Sequence, residues 1–149
     1  MAIKFNTVFV GIAISAFAAV TAPLADEPLK FSSEMTGGKI YALANMLAQS
    51  GRSDLNFTAA EADFNGDGRL DVLAFAQNSY FCGSGGCAPL LMIANKKGWK
   101  AVPFNALSMP ENWYLLDSMR NGYRMVVVLG DESEQSYAWD GSAYIAVDN

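Results

Sequence analysis

The sequence predicts an α+β domain, with one N-terminal amphipathic helix followed by a mainly antiparallel β-sheet of hairpins. Three observations predict it. Apolar residues recur at helical spacing over residues 38–49. After Gly51 the apolar period shortens to that of strands. Two dipeptides typical of tight hairpins, Asn121-Gly122 and Asp140-Gly141, then separate short β-rich runs.

Taken in order, residues 26–33 show no periodicity and read as an unstructured lead-in. In the helix, Ile40, Leu43, Ala44 and Leu47 share one face, expected to lie on the core. Thr36 is a candidate N-cap. Gly51 stands where a helix end favours left-handed backbone. Residues 55–64 alternate in part. Residues 70–76, 90–93, 99–104, 113–116, 123–129, 137–139 and 143–147 read as strands. There is no internal repeat and no low-complexity segment.

Hydrophobic residues make up 52% of the 149 and charged residues 17%, which excludes an intrinsically disordered chain. No histidine is present, which removes Ser-His and Cys-His pairs, HExxH zinc sites and imidazole proton shuttles. Two cysteines are too few for a four-cysteine zinc site or an iron–sulfur cluster. Residues 1–25 read as a secretory signal peptide. Lys4 supplies the positive start, an apolar run follows from Val8 to Ile14, and small residues come next. Cuts after Ala18, Ala22 or Ala25 all have some support, and an uncleaved anchor is the alternative. Without these residues the formal charge falls from −5 to −6. Residues 26–149 are expected to form one acidic exported domain, periplasmic or secreted, with no later membrane span. Its charge argues against a nucleic-acid partner.

The most informative stretch is Asp63-Phe64-Asn65-Gly66-Asp67-Gly68-Arg69-Leu70-Asp71. Oxygen-bearing side chains stand at loop positions 1, 3, 5 and 9, and Arg69 at position 7 offers its carbonyl. Ca²⁺ wants six to eight oxygens, and alternate residues of a tight loop can turn theirs to one centre. Gly66 and Gly68 permit the sharp backbone path. Three carboxylates this close repel one another without a cation. Position 12 is Ala74 where an EF-hand has its bidentate Glu, so a water or a distant acid such as Glu61 would complete the set. The expected affinity is weak, about 10⁻⁴–10⁻³ M. A solvated Asx/Gly turn without metal is the alternative.

These residues, with Val72 and Leu73, resemble the calcium loop and following strand of FG-GAP/VCBS-type repeats. The resemblance implies side-chain ligands at Asp63, Asn65, Asp67 and Asp71 and a backbone ligand at Arg69. It covers about a dozen residues. With one such loop the chain is too short for a propeller. More broadly the chain resembles small exported bacterial proteins that carry a similar loop, a Cys-Gly-x-Gly-Gly-Cys segment and a terminal Trp-Asp-Gly hairpin. Here these are residues 82–87 and 139–141. That wider resemblance implies no activity.

Cys82 and Cys87 enclose Gly83-Ser84-Gly85-Gly86. In an oxidising compartment they are expected to form a disulfide across a hairpin tip, worth about 2 kcal/mol in the chain-entropy model. A redox role and an anion cradle of glycine N–H groups are the alternatives. No catalytic constellation emerges. Glu111, Asp117, Asp131, Glu132 and Glu134 admit a carboxylate-dependent glycoside hydrolase, and Trp99, Trp113, Tyr137, Trp139 and Tyr144 admit a sugar-binding face, with core packing the simpler use. The leading expectation is a calcium-stabilised, non-enzymatic exported domain that binds a protein or glycan partner. The rivals are an inhibitor or immunity protein covering a basic secreted enzyme, and the hydrolase.

Overall fold

The computed structural model describes residues 26–51 and 56–148, so the expected signal peptide at residues 1–25 lies outside the described residues. In chain order the elements are β1 (Glu27–Pro28), α1 (Gly38–Ser50), β2 (Phe57–Ala62), β3 (Asp71–Ala76), β4 (Cys82–Gly83), β5 (Gly86–Cys87), β6 (Pro89–Asn95), β7 (Gly98–Val102), β8 (Trp113–Arg120), β9 (Tyr123–Leu129), β10 (Glu134–Trp139) and β11 (Tyr144–Val147). They form a five-stranded sheet, β1-β8-β9-β10-β11, a four-stranded sheet, β2-β3-β6-β7, and the small ribbon β4-β5. Every strand pair in them is antiparallel. Among the described residues the fold is therefore mostly antiparallel sheet with one helix.

Strand β3 shows how the layers are made. All six of its residues are buried. Leu73 and Phe75 join Trp113, Leu115, Val126, Val128, Tyr137 and Tyr144 of the larger sheet in one cluster. Val72, Ala74 and Ala76 face the other way and pack with Ala42 and Leu43 of α1. A strand covered on both faces must be apolar at consecutive positions, which explains the unbroken run Val72-Leu73-Ala74-Phe75-Ala76. The helix comes close because small residues meet it. A Cβ added at Gly38 would lie 2.9 Å from Glu61 Oε1 and 3.4 Å from the Trp99 ring.

Trp113 organises the space between the sheets. Its ring meets Phe75 and Phe104 edge-on, each at 5.4 Å between centroids, and stacks parallel to Tyr137 at 6.3 Å. Tyr144 stacks on Phe104 at 4.6 Å. Of the five aromatics that sequence offered for a sugar-binding face, Trp113, Tyr137, Trp139 and Tyr144 are buried in this core. Trp99 is half-buried against the helix cluster.

Several sequence expectations are corrected here. Residues 26–33 are not an unstructured lead-in. Glu27 and Pro28 pair with Leu115 and Tyr114 of β8, and Ser32 bridges to Ala59 of β2. Leu29 is buried in the core, so this segment ties one sheet to the other. The helix face is rotated from the expected one: Leu43 and Leu47 lie on the core as expected, but Ile40 and Ala44 are exposed, while Lys39 and Ala42 are buried. Lys39 buries its aliphatic stem and donates from Nζ to the Glu34 carbonyl at 3.3 Å. The N-cap is Gly37, with no side-chain cap bond, in place of Thr36. Asp140-Gly141 is not a two-residue turn, since β10 and β11 are separated by residues 140–143. Asp140 Oδ1 accepts N–H bonds from Ser142 and Ala143 at 2.7 and 2.8 Å. These bonds hold its carboxyl below the usual range.

Candidate functional site

The acidic loop joins β2 to β3 and is wound around its own first carboxylate. Asp63 Oδ1 accepts from the N–H of Gly66 at 2.7 Å and of Asp67 at 3.1 Å, and Oδ2 accepts from Gly68 at 2.7 Å. Asn65 Oδ1 accepts from Asp67 N–H at 3.1 Å, and Asp67 Oδ1 accepts from Arg69 N–H at 2.8 Å. Asn65 and Asp67 make successive Asx turns, each bonding the N–H two residues on, while Asp63 reaches further along the loop. Gly66 and Gly68 take φ of 71° and 82°, which a side chain would resist. Phe64 is fully buried and plugs the loop into the core, its carbonyl accepting from Arg124 N–H at 2.8 Å.

Asp71 behaves differently from its loop partners. It has 0% exposure. Oδ2 accepts from Phe64 N–H at 2.9 Å and Oδ1 accepts from Ala94 N–H at 2.8 Å, at the end of β6. Burial raises its pKa to about 7. The two N–H bonds oppose that shift, and the charges of Asp63 and Asp67 add to it. Asp67 lies low in its range, chiefly because Arg69 N–H bonds it. The Arg69 guanidinium also meets Asp67 Oδ2 at 3.0 Å. Both side chains are partly solvated, so the pair adds little to stability. Sequence reading gave Arg69 only a carbonyl role and missed this ion pair. Glu61, offered as a completing acid, lies instead against Gly38 at the helix start, where a negative charge suits the helix dipole.

Does this donor set fit a calcium ion? The loop gathers Asp63, Asn65 and Asp67, and these three side chains, like Asp71, keep lone pairs beyond the N–H bonds described. Asp71 is tied to the loop through Phe64, and its carboxylate feels both other charges. Against this, among the described residues no group of three or more Asp, Glu, His or Cys side chains stands assembled to hold a metal. The set fits as oxygen chemistry, with part of its capacity spent on the backbone.

At the far end of β3 lies the second feature picked out by sequence. Cys82 and Cys87 form a disulfide, directly opposite each other in the β4–β5 ribbon. The ribbon is bolted to the rest by Cys87 N–H donating to the Ser108 carbonyl at 2.8 Å, and Ser108 N–H donating to the Cys87 carbonyl at 3.1 Å. Gly86 makes this approach possible. Its φ is 109°, and a Cβ there would lie 2.6 Å from the Ser108 carbonyl carbon. Gly86→Ala is expected to cost about 1–3 kcal/mol, read as a lower urea midpoint with the disulfide intact. A wild-type midpoint would remove the close approach from the account.

The hydrolase acids are exposed as a group, and Glu111 and Asp131 line one surface hollow. Among the described residues no helix is long and apolar enough to cross a membrane. No family model, no curated protein and no solved structure matches the chain.

Proposed function

We propose that this chain is an exported, non-enzymatic binding domain, stabilised by calcium at the loop of residues 63–71 and presenting its surface to a macromolecular partner. The observation that supports it is the loop wound on the Asp63 carboxylate and the Asx turns of Asn65 and Asp67, which leave three acidic residues and one amide on a short loop anchored by Phe64 and Asp71. Asp63, Asn65, Asp67 and Asp71 would hold the ion with their side chains and Arg69 with its carbonyl, as in the FG-GAP/VCBS-type loops that the segment resembles. The ion would supply charge neutralisation and no chemistry. Export is supported by the pattern of residues 1–25. The disulfide is consistent with an oxidising compartment.

Calcium is tested on the purified chain. At 10 mM Ca²⁺ a site of about 10⁻⁴–10⁻³ M affinity stabilises by about 1.4–2.7 kcal/mol. A calcium-dependent rise in melting temperature is expected, and Asp67→Ala should abolish it. An unchanged melting temperature, with no calorimetric heat, would overturn the metal part. The binding part is tested by capture of one partner at stoichiometric amounts from culture fluid or periplasm. Turnover of a glycan or peptide substrate that one carboxylate substitution abolishes would replace it with the hydrolase.

A further inference from the structure

At the disulfide end the fold holds apolar side chains out in water. Leu107 is 61% exposed and Met109 is 55% exposed. The backbone that carries them is nevertheless fixed. Ser108 is doubly bonded to Cys87, and the Met109 carbonyl accepts from the buried Trp113 Nε1 at 2.8 Å and from Glu111 N–H at 2.8 Å. The Asn112 carbonyl accepts from Leu129 N–H at 3.0 Å, which secures the next turn to β9. Met109 therefore stands on a pre-organised ridge, and a ligand meeting it has little backbone left to order.

Met109 lines two hollows. One, of about 450 Å³, runs between the disulfide, Phe75, Met109 and Pro110. The other, of about 320 Å³, contains Leu107, Met109 and Leu129 together with the carboxylates of Glu111 and Asp131. Among the described residues no Lys or Arg lines either hollow. An apolar slot beside an acidic one, with no cation among its described lining residues, selects by charge complementarity. Phosphate backbones and anionic headgroups would face those carboxylates unshielded. A purely apolar ligand would leave the acids without partners.

We infer that the Met109 ridge binds a partner-protein segment that pairs an apolar side chain with a nearby Lys or Arg. The apolar group enters the hollow beside the disulfide, and the cation meets Glu111 and Asp131. This rests on the binding-domain reading above and gives it a surface and a ligand chemistry.

The test selects phage-displayed random dodecapeptides on the mature chain and measures the winners by fluorescence polarisation. The expected winners combine Lys or Arg with Leu, Ile, Phe or Met. Their affinity should fall roughly tenfold or more for Met109→Ser and for the double variant Glu111→Gln/Asp131→Asn. Leu70→Ser, on the acidic loop, should leave it unchanged. All these side chains are exposed, so an unchanged circular dichroism spectrum will show that each variant folds. Winners insensitive to the ridge substitutions would overturn the inference while leaving the binding-domain reading intact, as would a selection with no enrichment over a blank surface. Ridge-dependent binding to RNA or to vesicles of anionic phospholipid would overturn it too. Glycan hydrolysis lost in Glu111→Gln would overturn both this inference and the non-enzymatic reading.

Discussion

Asp71→Ala is expected to lower the unfolding free energy by about 2–4 kcal/mol in buffer containing a chelator, where no metal contributes. The side chain is wholly buried and supplies the acceptors for two backbone donors, Phe64 N–H at 2.9 Å and Ala94 N–H at 2.8 Å. A buried donor left without its acceptor costs about 1–3 kcal/mol. Truncation also leaves a small void. Two effects run the other way. The carboxylate is itself costly to bury, and it stands in the field of Asp63 and Asp67, as its raised pKa of about 7 records. Removing it relieves both. The N–H losses still win, because they fall on the base of the acidic loop and on the end of β6 together.

Asp71→Asn separates these contributions. The amide keeps the shape and removes the charge, but only its oxygen can accept, so one N–H stays orphaned. Its cost should be about 1–2 kcal/mol, below that of Ala. Urea unfolding of the three proteins gives the ranking. An Ala variant within about 0.5 kcal/mol of wild type, or an Asn variant worse than Ala, would show that Asp71 does not hold the loop to the sheet.

Asp71 also shows where sequence reading stops. A carboxylate at the ninth loop position reads the same whether or not it also accepts N–H bonds from its own fold, and the bond from Ala94 at the end of β6, more than twenty residues on, leaves no mark in the local spacing. Local signals were legible. Asn121 and Gly122 take φ of 52° and 83°, the left-handed pair that the dipeptide announces. Gly51 is left-handed at the helix end and donates to Leu47. Cys82 and Cys87 are joined across a ribbon. The strand runs were found with small errors at their ends, although β8 extends to Arg120, well past the expected residue 116. What periodicity could not give was the partition into two stacked sheets, since alternation fixes a strand's faces and not what covers them. One edge of the helix face was misassigned for a related reason, although Leu43 and Leu47 lie inward as expected. Counting Lys39 as polar ignores its four-carbon stem, which packs inward while Ile40 turns out.

The lead-in escaped notice because its role depends on an irregularity in a strand about ninety residues away. Between Leu115 and Met119 the register of β8 against β9 shifts, and such a bulge removes backbone groups from the ladder. The fold answers with side chains from two distant places. Asp117 N–H donates to Asp26 Oδ1 at 2.7 Å. Arg124, 2% exposed, donates from Nε to the Leu116 carbonyl at 2.7 Å and from a terminal nitrogen to the Leu115 carbonyl at 3.2 Å. Its other terminal nitrogen meets Glu27 Oε1 at 2.9 Å. The guanidinium is the one side chain able to serve three acceptors in a fixed fork without deprotonating.

Arg124→Ala is therefore expected to cost about 3–5 kcal/mol, more than any other substitution considered for this fold. Most of that comes from two stranded carbonyls and the vacated volume. Little comes from the ion pair, because the Glu27 side chain is 47% exposed and recovers its hydration when the arginine leaves. Glu27→Gln alone should cost about 1–2 kcal/mol, since the amide oxygen still accepts from the guanidinium while that buried cation loses its counter-charge. Arg124→Lys should recover only part of the loss, since a lysine cannot span both carbonyls and Glu27 in one plane. Denaturant unfolding of the four proteins decides between a bulge cap and a simple charge pair. If Glu27→Gln costs as much as Arg124→Ala, the ion pair carries the stability. If Arg124→Lys is as stable as wild type, the forked geometry is not what this bulge requires.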